Sequence, residues 1–346
     1  MRFHQNFILS LLFFVLLFAL FELKNVLLFQ AADWWVVNET AMGGVYNSDL
    51  YFDTILSGTD SWPLWLVILS KFVLLLSASM VITRAAIKNL IFDERSYLPM
   101  ILFPMLFAGI YSSVGAIKML VIVVLQIWLF TLLFRGFKRS SSIAEYFYAG
   151  IITSMSTLIY TQSALSFVTV LLSVALLNRG ARELFCAVVG FLLPIFLYSY
   201  LHWMLGGQFM DIPNELWRSF VTPSIPGVAN WIDTTNRLGL TVLIVSLLPL
   251  VLATFASIAS FRGTLRYARR RQRKFLNMLV FQFLMVTVVA FLLPSSAPQT
   301  ILMNSVPLSV ILSYYFCQHQ NSRFAKWIFW LMPIGMLFYN IVLICA

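Results

Sequence analysis

One polar stretch holds the residues whose spacing is best suited to chemistry. In YNSDLYFDTIL, Asp49 and Asp53 stand four apart, so on a helix they share a face beside Tyr51 and Phe52. Paired carboxylates can hold a divalent cation or supply a general base, and Asp33 lies earlier in the same stretch. The plainer reading is that acids in a solvated loop are simply hydrated. Lys71 is different, because it sits inside the apolar run SWPLWLVILSKFVLLL. A charge at a bilayer centre costs about 2.5–3.5 kcal/mol on insertion scales, so such a lysine faces a bundle interior or reaches for the interface. Glu22 and Lys24, in another apolar run, are candidate partners for it or for the loop acids.

Arginines form the second group. Arg237 in DTTNRLGL, with Arg218 and His202 upstream, could clamp a lipid phosphate, although an isolated interfacial arginine also sets helix depth. Farther on, FRGTLRYARRRQRK places Arg262, Arg266, Arg269, Arg270 and Arg273 on one helical stripe, with Arg271 and Lys274 beside them. Such a stripe suits anionic headgroups at about 1 kcal/mol per cation. It equally serves as a topological anchor, since clusters of this kind stay on the cytoplasmic side.

Other chemistries find no support. His4, His202 and His319 are scattered, and no HExxH, P-loop, dinucleotide-binding glycine motif or G-x-S-x-G is present. Cys186, Cys317 and Cys345 show no paired spacing, which argues against a disulfide framework or a cysteine metal site. No metal and no cofactor is expected.

The elements that must position these residues are membrane helices. The chain has 346 residues, 61% hydrophobic and 10% charged, with a mean hydropathy of +0.89. A soluble domain carries about 25% charged residues. Here the apolar excess comes in blocks of about 20, the length that crosses ~30 Å of hydrocarbon as helix. Continuous runs such as LTVLIVSLLPLVLATFASIAS lack the alternation of a barrel strand. The expectation is an all-α polytopic bundle, a single integral membrane domain over 1–346. The net charge of +10 is accounted for by basic inner loops, so no nucleic-acid partner is expected.

Eleven spans are predicted, at about 6–29, 63–82, 98–112, 118–134, 144–160, 163–178, 184–205, 239–260, 275–293, 300–316 and 327–345. The first is read as an uncleaved helix entering from the cytoplasm, with a removed signal peptide as the alternative. The 98–137 and 144–178 segments are short hairpins whose full crossing is the open point of this path. Residues 30–62 form an acidic outer loop, 206–238 an outer loop with prolines and tryptophans, and 261–274 a basic cytoplasmic loop. Only Arg218 and Arg237 fall in outer loops, while Lys24, Lys71 and Lys118 lie in or beside spans. Every other Lys and Arg falls on the inner side, which places the N-terminus in the cytoplasm and the C-terminus outside.

Three blocks carry a resemblance: ERSYLPMILFPMLFAGIYSS, the hairpin that runs from EYFYAGIITSMSTLIYTQSALSF to FLLPIFLYSY, and VPLSVILSYYF. Over about residues 94–320 the chain resembles an uncharacterised family of bacterial multi-pass inner-membrane proteins, a domain of unknown function. The resemblance implies a component of the Gram-negative cell envelope and brings no active site. In layout alone the chain is also similar to polyprenyl-phosphate-dependent membrane glycosyltransferases. That likeness implies an acid among Asp33, Asp49 and Asp53 as base, and Arg237 as holder of the lipid phosphate. The loop is short for that class, and no large outer domain follows.

Three readings follow from the sequence. The first is an inner-membrane component of envelope biogenesis, with the bilayer and lipid-linked glycan or envelope-assembly proteins as partners. The second is a glycosyltransferase-like enzyme. The third is a transporter of small molecules or lipids, which calls for broken helices and interior charges near the midplane.

Overall fold

The computed structural model describes residues 6–29, 63–88, 96–110, 116–136, 142–177, 179–221, 247–260, 270–292, 302–320 and 322–345. Among them every regular element is a helix. In chain order these are α1 (Phe7–Phe29), α2 (Leu64–Lys88), α3 (Leu98–Ile110), α4 (Ala116–Gly136) and α5 (Ile143–Ile159). A short 3-10 turn, Thr161–Ala164, leads into α6 (Leu165–Leu176), followed by α7 (Ala181–Met204) and α8 (Asp211–Val221). Then come α9 (Leu247–Ser260), α10 (Arg270–Leu292), α11 (Ser305–Gln318) and α12 (Arg323–Cys345).

Three stretches are long and apolar enough to cross a membrane: Trp65–Lys88, Met119–Gly136 and Ala181–Met204. Shorter apolar helices accompany them, among them Phe7–Glu22, Leu98–Ala108, Ile143–Ile159 and Leu247–Ser260. One element falls where the sequence suggests only punctuated loop. Within 206–238, α8 forms because Ile212 and Leu216, one turn apart, bury together against Leu158, Ile195 and Tyr198. Pro213 falls in its first turn, where a missing N–H costs no helical hydrogen bond.

Contacts fix how the helices alternate. Gly136, closing α4, lies beside Ser142 and Glu145 at the start of α5. Arg179, between α6 and α7, donates from Nη2 to the Gly136 carbonyl at 2.6 Å, a cation answering the exposed carbonyls of a helix C-terminus. Phe134 meets Phe275 near the start of α10, with ring centroids 4.5 Å apart. Ile82 and Ala86, from the last turns of α2, border the same region as Phe130 and Phe134. At the far end of α10, Asn304 Nδ2 donates to Thr287 Oγ1 at 2.8 Å, so α11 runs back toward the start of α10. The ends of α2, α4 and α6 and the starts of α7 and α10 therefore gather together. They bring Arg84, Lys88, Arg135, Arg182, Arg273 and Lys274 to one end of the bundle.

Two short helices occupy the centre. Residues 98 and 100–108 in α3, and 302–316 leading through α11, are buried on every side. Helices apolar all round are interior elements, and the longer α1, α2, α4, α10 and α12 surround them. The closest crossing is between α5 and α7. There Gly150 lies against the backbone of Ala187, Gly190 and Phe191, and Gly190 lies against Phe147. Small residues let two backbones approach and gain dispersion contacts that lipid cannot match.

Candidate functional site

Aromatic packing first brings α1 onto α2. Phe72 meets Phe14 and Phe18 with centroids 5.8 Å and 5.2 Å apart. Glu22, one turn beyond Phe18, then lies opposite Lys71, the neighbour of Phe72. Glu22 Oε1 stands 3.6 Å from Lys71 Nζ, with the two side chains only 6% and 2% exposed. Of the partners open to Lys71 in the sequence, the structure selects Glu22. Burying two charges costs several kcal/mol per ion, and their attraction roughly repays it. Removing one partner strands the other at a cost of about 3–5 kcal/mol.

A second constellation is uncharged and joins α6, α10 and the entry to α11. Thr169 Oγ1 donates to Gln282 Oε1, and Gln282 Nε2 donates to Ser166 Oγ at 3.3 Å. One turn and a half along α10, Thr287 accepts from Asn304. Behind this seam the α5–α6 hairpin buries Thr153, Ser154, Ser156, Thr157 and Ser163. Several of these satisfy themselves on their own helix: Thr153 on the Ala149 carbonyl, Ser156 on Ile152 and Thr157 on Thr153. Ser154 Oγ, Ser163 Oγ, Ser305 Oγ, Asn304 Oδ1 and both amide atoms of Gln126 have no protein partner. Buried polar groups in this state mark a place for water or a ligand. The seam was missed in the sequence. Its signal is the density of small polar residues in TSMST and TQSALS within apolar surroundings, where they read only as a hairpin turn.

The third place is the corner between α7 and α8, away from the basic end. Gly206 adopts φ +96°. Its N–H bonds to the Trp203 carbonyl, and that of Gly207 to His202, the paired bonds that close a helix C-terminus through a left-handed glycine. This turn sets His202 Nε2 3.3 Å from Asp211 Oδ2, which also accepts from the Gln208 N–H at 2.9 Å. The pair ties α8 to the end of α7 and leaves Trp217 and Arg218 exposed on α8.

Asp33, Asp49, Asp53 and Arg237 lie outside the described residues, as do Arg262, Arg266 and Arg269. The two candidates that are described do not come together. Lys71 lies between α1 and α2, whereas Arg218 stands on α8, which packs on α7 and the Thr161–Ala164 turn. Neither Cys186 nor Cys317 is in a disulfide. An apolar void lined by Ile82, Ala86, Ile127, Phe130, Leu279 and Val310 is too small for a ligand larger than about one water.

No curated protein and no solved structure matches the chain. The model of a family of unknown function (DUF6427) matches residues 72–345. The chain belongs to that family. The match begins one residue after Lys71, so the Glu22–Lys71 pair precedes it and the polar seam lies within it.

Proposed function

We propose that this member of DUF6427 is a multi-pass inner-membrane protein of the cell envelope, with eleven spans, its N-terminus in the cytoplasm and its C-terminus outside. The alternation of helix ends carries the reading. Cations from several separate segments collect at one end of the bundle, and the described opposite end carries fewer: Arg218 at the α7–α8 corner, Lys118 at the start of α4 and Lys24 toward the end of α1. Positively charged ends stay in the cytoplasm. Aromatic and amphipathic groups such as Trp203, Trp217 and α8 suit the opposite headgroup layer. Reporter fusions at residues 115, 162 and 298 test the path: all three should report the outer side, and a cytoplasmic signal at any one overturns the eleven-span topology.

Within that frame, movement of a small molecule or lipid is favoured over glycosyl transfer by one observation. The chain buries an opposite-charge pair in its interior and packs the short helices α3 and α11 at its centre, α11 entered through the 3-10 residues 302–304. These are features of a bundle that handles polar cargo within the membrane. Glycosyl transfer rests instead on Asp33, Asp49, Asp53 and Arg237, with Arg218 as a second phosphate holder. Complementation of a deletion strain separates the two. A transferase loses function in a well-expressed Asp49→Ala, Asp53→Ala or Arg237→Ala protein, with lipid-linked glycans altered. A carrier keeps function in all three and loses it when the interior polar groups are changed.

A further inference from the structure

We propose that the outward face of α12 binds an anionic phospholipid, with its headgroup held by Arg323 and Lys326. Register comes first. Arg323, Lys326, Trp327, Trp330, Ile334 and Phe338 follow i, i+3, i+4, i+7, i+11 and i+15, a single helical stripe. All six are exposed on the bundle, while Ala325, Ile328, Phe329 and Met332 bury the opposite face. On a spanning helix the exposed stripe faces lipid. At about 1.5 Å per residue, the cations occupy the first ~5 Å of the axis and the indoles the next ~6 Å. Apolar side chains follow. A headgroup layer takes about 5–7 Å of each side of a bilayer, so the stripe repeats the order of a phospholipid: phosphate, glycerol esters, acyl chains. Trp330 is held edge-on by Phe13 of α1, with centroids 6.0 Å apart, and by Phe329 at 5.8 Å. Trp327, 71% exposed, is open to the bilayer.

Charge complementarity names the occupant. Helix α12 carries no acid, and neither do α3 and α11 beside it. Glu22, the one acid of α1, is paired with Lys71. Asp93 and Glu94, ahead of α3, lie outside the described residues. A phosphodiester supplies the missing charge: the guanidinium takes two of its oxygens and the ammonium meets it as a point charge. The indole N–H groups, donors only, stand at the level of the ester carbonyls. Other helices at the basic end differ. Helix α2 ends in exposed Arg84 and Lys88 with no tryptophan near them, and α4 sets Arg135 on the face of Trp128 alone. Among the described residues, no other helix places two exposed cations and two exposed indoles on one stripe. That combination separates a lipid site from a topological anchor, which needs only the charge.

The inference rests on the membrane reading above, and the test separates the two. The full chain is reconstituted in phosphatidylcholine nanodiscs that hold a minor fraction of dibrominated lipid, either phosphatidylglycerol or phosphatidylcholine. Bromine quenches indole fluorescence on contact. The difference between wild type and Trp327→Phe with Trp330→Phe isolates the two α12 indoles. At about fivefold per cation, phosphatidylglycerol should be enriched beside them roughly 25-fold over phosphatidylcholine at equal fraction, and less as salt is raised. Arg323→Gln with Lys326→Gln should abolish the preference, and the exchange Arg323→Lys with Lys326→Arg should keep it. Arg84→Gln with Lys88→Gln, which removes two cations from the same end of the bundle, should leave it unchanged. Asp93→Asn with Glu94→Gln should leave it unchanged as well; a gain there means that those acids already hold the cations, and it overturns the proposal. Equal quenching by the two lipids, or a loss in the α2 variant as large as in the α12 variant, also overturns the proposal and leaves the spanning reading intact. Absence of quenching by either lipid removes both.

Discussion

Replacing Gly150 with alanine should separate α5 from α7. A Cβ at Gly150 would stand 2.7 Å from the Phe191 nitrogen and 2.9 Å from the Gly190 carbonyl carbon, with the Ala187 oxygen closer still. Ordinary contact begins at 3.4 Å, so the helices must part by at least about 0.7 Å (3.4 less 2.7). All three obstacles are backbone atoms, which no rotamer change moves aside. A radial gap of about 0.5–1 Å forfeits a quarter to a half of each dispersion contact along the crossing. Overpacking of this kind costs about 1–3 kcal/mol, against a gain of about 1 kcal/mol when alanine replaces glycine inside a helix. Gly190→Ala meets the same crossing from the other side, at the Phe147 oxygen and at its carbonyl carbon, 3.1 Å away. Gly136→Ala is the internal control, since its Cβ meets nothing nearer than Ser142 Cβ at 3.5 Å. Thermal melts of detergent-solubilised protein, followed by fluorescence size-exclusion chromatography, should rank wild type and Gly136→Ala together. Gly150→Ala and Gly190→Ala should melt lower, and the double variant should lose less than the sum because both act on one crossing. A Gly150→Ala protein as stable as Gly136→Ala would refute the close approach.

The same melts test other contacts. Arg179→Ala removes the donor to the Gly136 carbonyl and should cost about 1.5–3 kcal/mol, with Arg179→Lys recovering part of it. Gln282→Leu leaves Thr169 and Ser166 without their amide partner and should cost about 0.6–2 kcal/mol, whereas Gln282→Glu should cost more by adding a buried charge. Gly206→Ala meets no atom within 4 Å, so its penalty, about 1 kcal/mol, comes from the φ of +96° alone. That variant should loosen α8 selectively, measured as faster hydrogen exchange at residues 211–218.

How far the sequence discloses this fold depends on the kind of signal. Long apolar runs are visible one residue at a time, because lipid and interior both demand them. The run predicted at 144–160 is the helix Ile143–Ile159, and that at 184–205 is Ala181–Met204. Boundaries slip where charge enters a helix. Arg323 and Lys326 lie in the first turn of α12, four residues ahead of the predicted start at 327, and Arg270 to Lys274 belong to α10 rather than to the basic loop alone. Helix α8 is hidden because its pattern is short and its proline reads as a breaker, although a proline in a first turn is compatible with helix. Lys71 is legible as an interior charge, and Glu22 as one of several partners. Choosing between them needed the aromatic packing of Phe14 and Phe18 on Phe72. The seam of Ser166, Thr169, Gln282, Thr287 and Asn304 joins residues more than a hundred positions apart, a relation that no local period encodes.

The short central helices give that seam its meaning. With 13 residues, α3 is about 20 Å long, and α11, with 14, is about 21 Å. A hydrocarbon layer of about 30 Å is longer than either. A short helix facing lipid would leave its terminal N–H and C=O groups in an apolar medium at several kcal/mol each. Enclosure by longer neighbours changes that requirement, since the ends then need polar company from protein or from water admitted between helices. At the start of α11 the 3-10 residues 302–304 tighten the entry. Asn304 reaches Thr287, and Pro307 removes one of the N–H groups that would otherwise need a partner. The polar atoms still unpaired there, Asn304 Oδ1 and Ser305 Oγ, lie where a bundle of unequal helices must be polar to be stable. The same inequality that makes the fold enclose short helices therefore calls for polar side chains at the interior end, where Thr287, Asn304 and Ser305 stand away from lipid.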